Sequence, residues 1–305
     1  MPIPEVEKIW MDGKLVDWAD AKIHILTHTL HYGSGVFEGI RAYETPKGAA
    51  VFRLTAHLER LFRSAAIYRM PIPFTLEELI EGTKDVIRAN KLNSCYIRPI
   101  AYRGYGEMGL NPMAAPVNVS IAVWPWGAYL GEAGLEHGVR AKVSSFRRIE
   151  SNTIPTAAKA CGQYLNSILA KIEVVDAGYE EAILLNIHGF VADGAGENIF
   201  TVKKGTLYTP PTSAGALEGI TRGAIIELAE DFGIPCVEKD LLRTDLYLAD
   251  EAFFTGTAAE VVPIREVDDR VIGEPGPITK KLQQKFFEIA AGQDGKYDAW
   301  LEYVN

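Results

Sequence analysis

The chain has 305 residues, 48% of them apolar and 23% charged, with 28 glycines and 16 prolines. That composition suits one large domain or two ordinary ones and excludes disordered and collagen-like chains. Lys and Arg total 31 against 40 Asp and Glu, a net charge of −9, which disfavours nonspecific nucleic-acid or anionic-membrane binding and leaves room only for a local basic pocket.

Read in chain order, the N-terminal MPIPEVEKIWMDGKLVDW has no basic stretch followed by an apolar core, so no secretory leader is expected. Val36–Tyr43 and Cys95–Tyr102 read as strands by their β-branched and aromatic content. Leu58, Leu61, Phe62, Ala65 and Ala66 form a stripe that predicts a helix over Thr55–Arg69. Thr75 and Glu78 have capping-box spacing and open a second helix, with Leu79, Ile80, Val86 and Ile87 on one face. Asn118–Trp124 is a further strand. Pro125–Gly138 holds one proline and four glycines and reads as an interdomain connection, although Trp126 and Tyr129 suggest that it also lines something.

Beyond it, Val139–Phe146 predicts a strand and Thr156–Val175 a helix ended by Gly178. Ala182–Ile187 and Ile199–Lys203 are strands, and Lys203-Lys204-Gly205 turns the second into Thr206–Thr209. Thr221–Phe232 is a helix stopped by Gly233 and Pro235. Ala252–Thr255 is a short buried strand and Pro277–Ala291 a last amphipathic helix. Without a repeat or regular βαβ alternation, the fold class is α+β, in a two-domain arrangement over 1–124 and 139–305 joined by 125–138.

Cys95, Cys161 and Cys236 are scattered and odd in number, which argues for a reducing, cytoplasmic compartment rather than a disulfide framework. The apolar runs are too short to cross a bilayer. No G-x-G-x-x-G opens a helix, and neither a P-loop nor a G-x-S-x-G elbow occurs; at Gly33-Ser34-Gly35, Tyr32 takes the first glycine's place. His24, His28 and His31 have helical spacing, but no acid or cysteine lies nearby to complete a metal set, so no metal is expected.

Asn152–Asn166, NTIPTAAKACGQYLN, sets Lys159 among Ala157, Ala158, Ala160, Cys161 and Gly162, near the expected start of a helix. A lysine in low dielectric has its charged form disfavoured, which frees the amine for Schiff-base chemistry. On this segment alone a lysine snorkelling from a helix end is the stronger reading, because perturbed lysines are rare. Two turns add weight. Leu217–Arg222, LEGITR, puts a glycine turn before a helix, where free N–H groups and a threonine hydroxyl suit a phosphate. Thr255–Glu260, TGTAAE, follows a strand in the same way and suits another anion. Asp193–Phe200, DGAGENIF, places carboxylates in a tight turn before a strand.

Together with HYGSGVFEGIRAY, YIRP (Tyr96–Pro99) and PWGAYLG, these segments resemble the fold type IV pyridoxal-phosphate enzymes, most closely the branched-chain aminotransferases, over nearly the whole chain. The resemblance implies a small N-terminal α/β domain and a larger C-terminal pseudo-barrel domain, with the 125–138 connection covering the active site. It implies pyridoxal 5′-phosphate as cofactor and a homodimer, within a hexamer in some members. The activity implied is ping-pong amino transfer between L-leucine, L-isoleucine or L-valine and 2-oxoglutarate. A D-amino-acid or (R)-amine aminotransferase, or an aminodeoxychorismate lyase, shares the fold and is the alternative.

By the same resemblance Lys159 joins the cofactor and Tyr164, read as one helical turn later on the same face, bonds its phenolic oxygen. Arg60, Ile220, Thr221 and Thr257 hold the phosphate. Thr257 and Ala258 hold the substrate α-carboxylate. Phe37, Gly39, Tyr96, Arg98, Trp126 and Tyr129 line the side-chain pocket, and Tyr32 and Leu110 reach in from the neighbouring subunit. Asp193 departs from the family pattern, which has glutamate facing the pyridine nitrogen; Glu197 is a different position.

Overall fold

Met11-Asp12-Gly13-Lys14 contains the dipeptide that a tight hairpin turn demands. Asp12 and Gly13 take φ values of 45° and 87°, and β1 (Lys8–Met11) folds back on β2 (Lys14–Asp17). The structure is a computed structural model describing residues 3–127 and 129–305; Met1 and Pro2 of the leader reading and Ala128 of the 125–138 connection lie outside the described residues. Two units emerge. The first takes the chain up to Trp126 with Ala158–Gly162 and Glu288–Asn305; the second takes Gly127–Ala157 and Gln163–Phe287.

In the first unit the β1–β2 hairpin joins a sheet with β3 (Gly35–Phe37), β4 (Ile40–Thr45), β5 (Gly48–Phe52), β6 (Cys95–Arg103), β7 (Val117–Trp124) and the C-terminal strand Leu301–Tyr303. All its pairings are antiparallel, with β6 central between β4 and β7. The short helix α1 (His28–Tyr32) precedes β3. α2 (Leu54–Ile67) and α3 (Leu76–Ala89) turn Leu58, Leu61, Leu79, Val86 and Ile87 onto a core that includes Val36, Ile40, Ile97 and Ile121. The capping box forms as read: Glu78 N–H donates to Thr75 Oγ1 at 3.2 Å, and Thr75 N–H to Glu78 Oε2 at 2.7 Å.

The second unit holds a mixed sheet. Its strands are β8 (Val139–Val143), β9 (Glu181–Leu185), β10 (Val191–Gly194), β11 (Asn198–Lys203), β12 (Thr206–Thr209), β13 (Cys236–Glu238), β14 (Glu251–Gly256) and β15 (Glu260–Val267). Their order is β10-β9-β8-β15-β14-β11-β12-β13, with β16 (Arg270–Val271) added on β15. Lys204 and Gly205, at φ 49° and 77°, make the two-residue turn between β11 and β12. The helices are α4 (Glu132–His137), α5 (Tyr164–Asp176), α6 (Ile220–Asp231), α7 (Arg243–Tyr247) and α8 (Pro277–Ala290), whose last turn passes into the first unit. Among the described residues no helix is long and apolar enough to cross a membrane.

Three expectations need correction. The strand expected over Val36–Tyr43 is two strands, broken at Glu38-Gly39, because Glu38 turns its carboxylate into the interior. The 125–138 connection contains α4, a helix that its glycines hid. The helix expected from Thr156 begins only at Tyr164, after the single 3-10 turn Cys161–Gln163. Lys159 therefore lies on extended chain, not on a helix, and shares no helical face with Tyr164. Ala158 and Ala160 are core residues, and the backbone between them makes tertiary hydrogen bonds that outweigh alanine's helical preference.

Candidate active site

Small side chains decide where Lys159 sits. Ala158 and Ala160 enter the core of the first unit, and Ala160 forms a one-residue antiparallel bridge with Val36 of β3. The Lys159 backbone is gripped on both sides: its N–H donates to Ser64 Oγ at 3.0 Å, and its carbonyl accepts from Phe37 N–H at 3.0 Å. Its ammonium lies 5.2 Å from the centroid of the Phe37 ring. Gly33, at φ 65°, lets the chain pass here, since a Cβ on it would meet Gly162 Cα at 2.8 Å.

Arg60 lies on the same face of α2 as Ser64, one turn before it. Its Nε and Nη2 donate to the two carboxylate oxygens of Glu38 at 2.7 and 2.8 Å, and His57 Nδ1 donates to Glu38 Oε2 at 2.8 Å. Glu38 is wholly buried, which alone would raise its pKa, but the Arg60 guanidinium and then His57 hold it well below the usual carboxylate range. Burial lowers the pKa of His57, so it serves Glu38 as a neutral donor. Glu38, His57 and Ser64 escaped the sequence reading; the signal was a polar row at i, i+3 and i+7 on α2, which ordinarily faces water.

Tyr96 and Arg98 share one face of β6. The Arg98 guanidinium stands over the rings of Phe37 and Tyr96, 4.8 and 5.2 Å from their centroids, and donates to Tyr96 Oη at 3.2 Å. Trp126 meets Tyr96 edge-on at 4.6 Å. A Cβ on Gly39 would come within 2.1 Å of the Tyr96 hydroxyl, so that position needs glycine. Four predicted pocket residues and Arg98 thus gather in the first unit. Tyr32 and Leu110 are 48% and 85% exposed. His28 ties their segments together, bonding Ser34 Oγ at 2.6 Å and donating from Nε2 to the Gly109 carbonyl at 3.0 Å. Among the described residues no cluster of His, Cys, Asp and Glu is placed to hold a metal.

In the second unit Asn198 is the organiser. Its Nδ2 donates to Asp193 Oδ1 at 2.9 Å and to the Leu217 carbonyl at 2.8 Å, while Leu217 N–H donates to Asp193 Oδ2 at 3.1 Å. Asn198 also stands opposite Thr255 across the β11–β14 ladder. Asp193, the entry to α6 and the Gly256–Thr257 turn are thereby brought together. A Cβ on Gly219 would lie 1.9 Å from Asn198 Oδ1. Burial raises Asp193 from its ordinary 3.8 to about 7, against the pull of Arg148, Leu217 N–H and Asn198. Glu197 is pushed up to about 8 by burial and by the neighbouring charge of Glu181, with Lys171 opposing. Tyr164 opens α5 half-buried, and the Lys171 ammonium lies 5.7 Å from the Tyr129 ring centroid.

The amino-transferase class IV family model matches residues 35–267. The branched-chain-amino-acid aminotransferase of Escherichia coli strain K12 is 50% identical over 308 residues, covering 100% of both chains. The chain belongs to the class IV aminotransferases. Its solved E. coli relative superposes with a TM-score of 0.97 at 50% identity, over 99% of this chain and 100% of that one, which identifies the fold as type IV. The branched-chain aminotransferase of Thermoproteus uzoniensis with norvaline gives 0.95 at 48% identity, over 98% and 100%. That of Thermobaculum terrenum in its PLP form gives 0.93 at 36%, over 99% of each chain.

Class IV aminotransferases use pyridoxal 5′-phosphate, and the residues here fit it. Gly219 at the start of α6 has no side chain to cap it, and the N–H groups of that first turn suit an anion. Beside the Gly256–Thr257 turn, the buried Thr255 Oγ1 finds no hydrogen-bond partner among the described residues.

Proposed function

We propose that the protein moves the amino group of L-leucine, L-isoleucine or L-valine to 2-oxoglutarate, in a ping-pong cycle and as a cytoplasmic homodimer. The observation that carries the reading is the two-sided backbone grip on Lys159, which fixes where the lysine starts and sets its side chain beside the Phe37 ring. Bound pyridoxal phosphate supplies an electron sink for the pair released when the substrate's α-C–H bond breaks.

The chain's own residues do the rest. Lys159 is the residue that would hold the cofactor at its aldehyde carbon, and its Nζ is the base that would take the substrate's α-proton and return it, a positioned transfer worth roughly 10²–10⁴-fold. Arg60, the N–H groups at Ile220 and Thr221, and Thr257 hold the phosphate. Tyr164 bonds the phenolic oxygen. Asp193 shares a proton with the pyridine nitrogen, a role suited to a carboxyl raised to about 7. The turn at Thr257 and Ala258 offers N–H groups to the substrate's α-carboxylate.

Phe37, Gly39, Tyr96 and Trp126 form an aliphatic pocket, in keeping with the norvaline bound by the Thermoproteus relative. Arg98, with the hydroxyls of Tyr32 and Tyr129, receives the distal carboxylate of glutamate by charge-assisted bonds. Tyr32 and Leu110 serve the neighbouring subunit's site. A spectrophotometric half-reaction tests the assignment. L-leucine should convert the cofactor to its amine form, whereas D-alanine and an (R)-amine should not; conversion by D-alanine or the amine alone contradicts it.

A further inference from the structure

We propose that Glu38 is a positioning residue for the cofactor's phosphate, acting by aiming the Arg60 guanidinium; the proposal rests on the reading that Arg60 binds that phosphate. Glu38 occupies the break between β3 and β4. Its own N–H donates to the Pro99 carbonyl of β6 at 2.9 Å, so the backbone beneath it is fixed. Its carboxylate takes the Nε and Nη2 edge of Arg60 with both oxygens, at 2.7 and 2.8 Å. A two-point contact with a planar fork sets the plane of that fork and hence the direction of its other edge. His57 adds a third donor to Glu38 at 2.8 Å, which stops the carboxylate from turning about its own bond.

Stability alone explains this arrangement poorly. Glu38 is 0% exposed, His57 1% and Arg60 4%, and buried ion pairs of this kind are often matched or exceeded in stability by apolar replacements. Position explains it better. The α2 face that carries His57 and Arg60 also carries Ser64, which holds the Lys159 N–H, and the residue before Glu38 holds the Lys159 carbonyl. One strand end and one helix face therefore fix both the guanidinium and the backbone of the lysine. Glu38 makes Arg60 part of that rigid set.

The test compares binding of pyridoxal phosphate with binding of pyridoxal, which lacks the phosphate, to the apo forms of wild type, Arg60→Met, Glu38→Asp and Glu38→Gln. The wild type should prefer the phosphorylated form, and Arg60→Met should lose most of that preference. Glu38→Gln should lower the preference about tenfold, as expected for a charge-assisted contact set out of line, with pyridoxal affinity nearly unchanged. Glu38→Asp should fall between, and the ³¹P resonance of the bound phosphate should move toward that of Arg60→Met in the same order. Should Glu38→Gln not fold, Glu38→Asp, which keeps the charge, carries the same comparison. Glu38 variants that keep the wild-type preference while Arg60→Met loses it overturn the proposal alone. So do variants that weaken both ligands equally, the mark of a merely structural role. A wild type that prefers neither ligand overturns the Arg60 reading and the proposal with it.

Discussion

Glu38 and Asp193 are both buried carboxyls, yet they stand in opposite states. Glu38 is held far below the usual carboxylate range, while Asp193 is raised to about 7. Burial acts on both in the same direction, so it does not decide the outcome. The partner does. Glu38 touches a guanidinium at two points and an imidazole at a third; Asp193 touches an amide and a peptide N–H, with Arg148 and Arg222 acting through their charge. A direct cation makes a buried carboxylate a fixed anion, whereas neutral donors leave it poised to share a proton. The first state suits a carboxylate that aims an arginine, the second one that faces a ring nitrogen.

The contrast breaks most visibly at Arg60. Arg60→Ala should destabilise the apoprotein by about 3–5 kcal/mol in urea titration, because it strands the Glu38 charge. The corresponding change in the other region, Asp193→Asn, should stabilise the apoprotein at neutral pH. The signs follow from linkage. A carboxyl whose folded pKa is raised favours the fold below its unfolded value and loses that contribution as pH climbs through the folded one. Asp193 should therefore cost up to about 1.4 kcal/mol per pH unit between its ordinary 3.8 and about 7. Thermal unfolding across that window should show the fall in wild type and a flatter profile in Asp193→Asn. Glu38, with its pKa lowered, contributes across the same window and is lost only on strong acidification.

Activity sharpens the contrast further. Asp193→Ala should abolish most turnover, while Asp193→Glu, one methylene longer, should keep or raise it; single-turnover rates decide between them. Arg98→Ala should raise the Michaelis constant for glutamate and 2-oxoglutarate about tenfold or more, the cost of one charge-assisted contact, and that for leucine far less. The smallest effect is expected at Ser64: removing its hydroxyl should cost about 1 kcal/mol, the net worth of one hydrogen bond, read from the denaturation midpoint.

Local signals carried much of this architecture. The Thr75–Glu78 box, the Lys204-Gly205 turn and the Gly233 stop mark their elements because short-range geometry alone specifies them. Lys159 was legible as a residue but not as a conformation. Its run of alanines reads as helix, and partners distant in sequence, Ser64 and Phe37 among them, hold it out of one. Glu38 was passed over for a related reason, since the site's carboxylate looked like one more acid in a strand until α2 supplied its partners. Asn198 was noticed only as a neighbour of Glu197, because its reach to Asp193 and to the Leu217 carbonyl depends on how a hairpin meets the entry to α6.

The most direct test is chemical. Purified protein loaded with pyridoxal phosphate should be yellow and should bleach on borohydride reduction. Digestion and mass spectrometry should then find the pyridoxyl mark on the peptide containing Lys159. A mark on any other lysine, or full turnover by Lys159→Ala, would contradict the account.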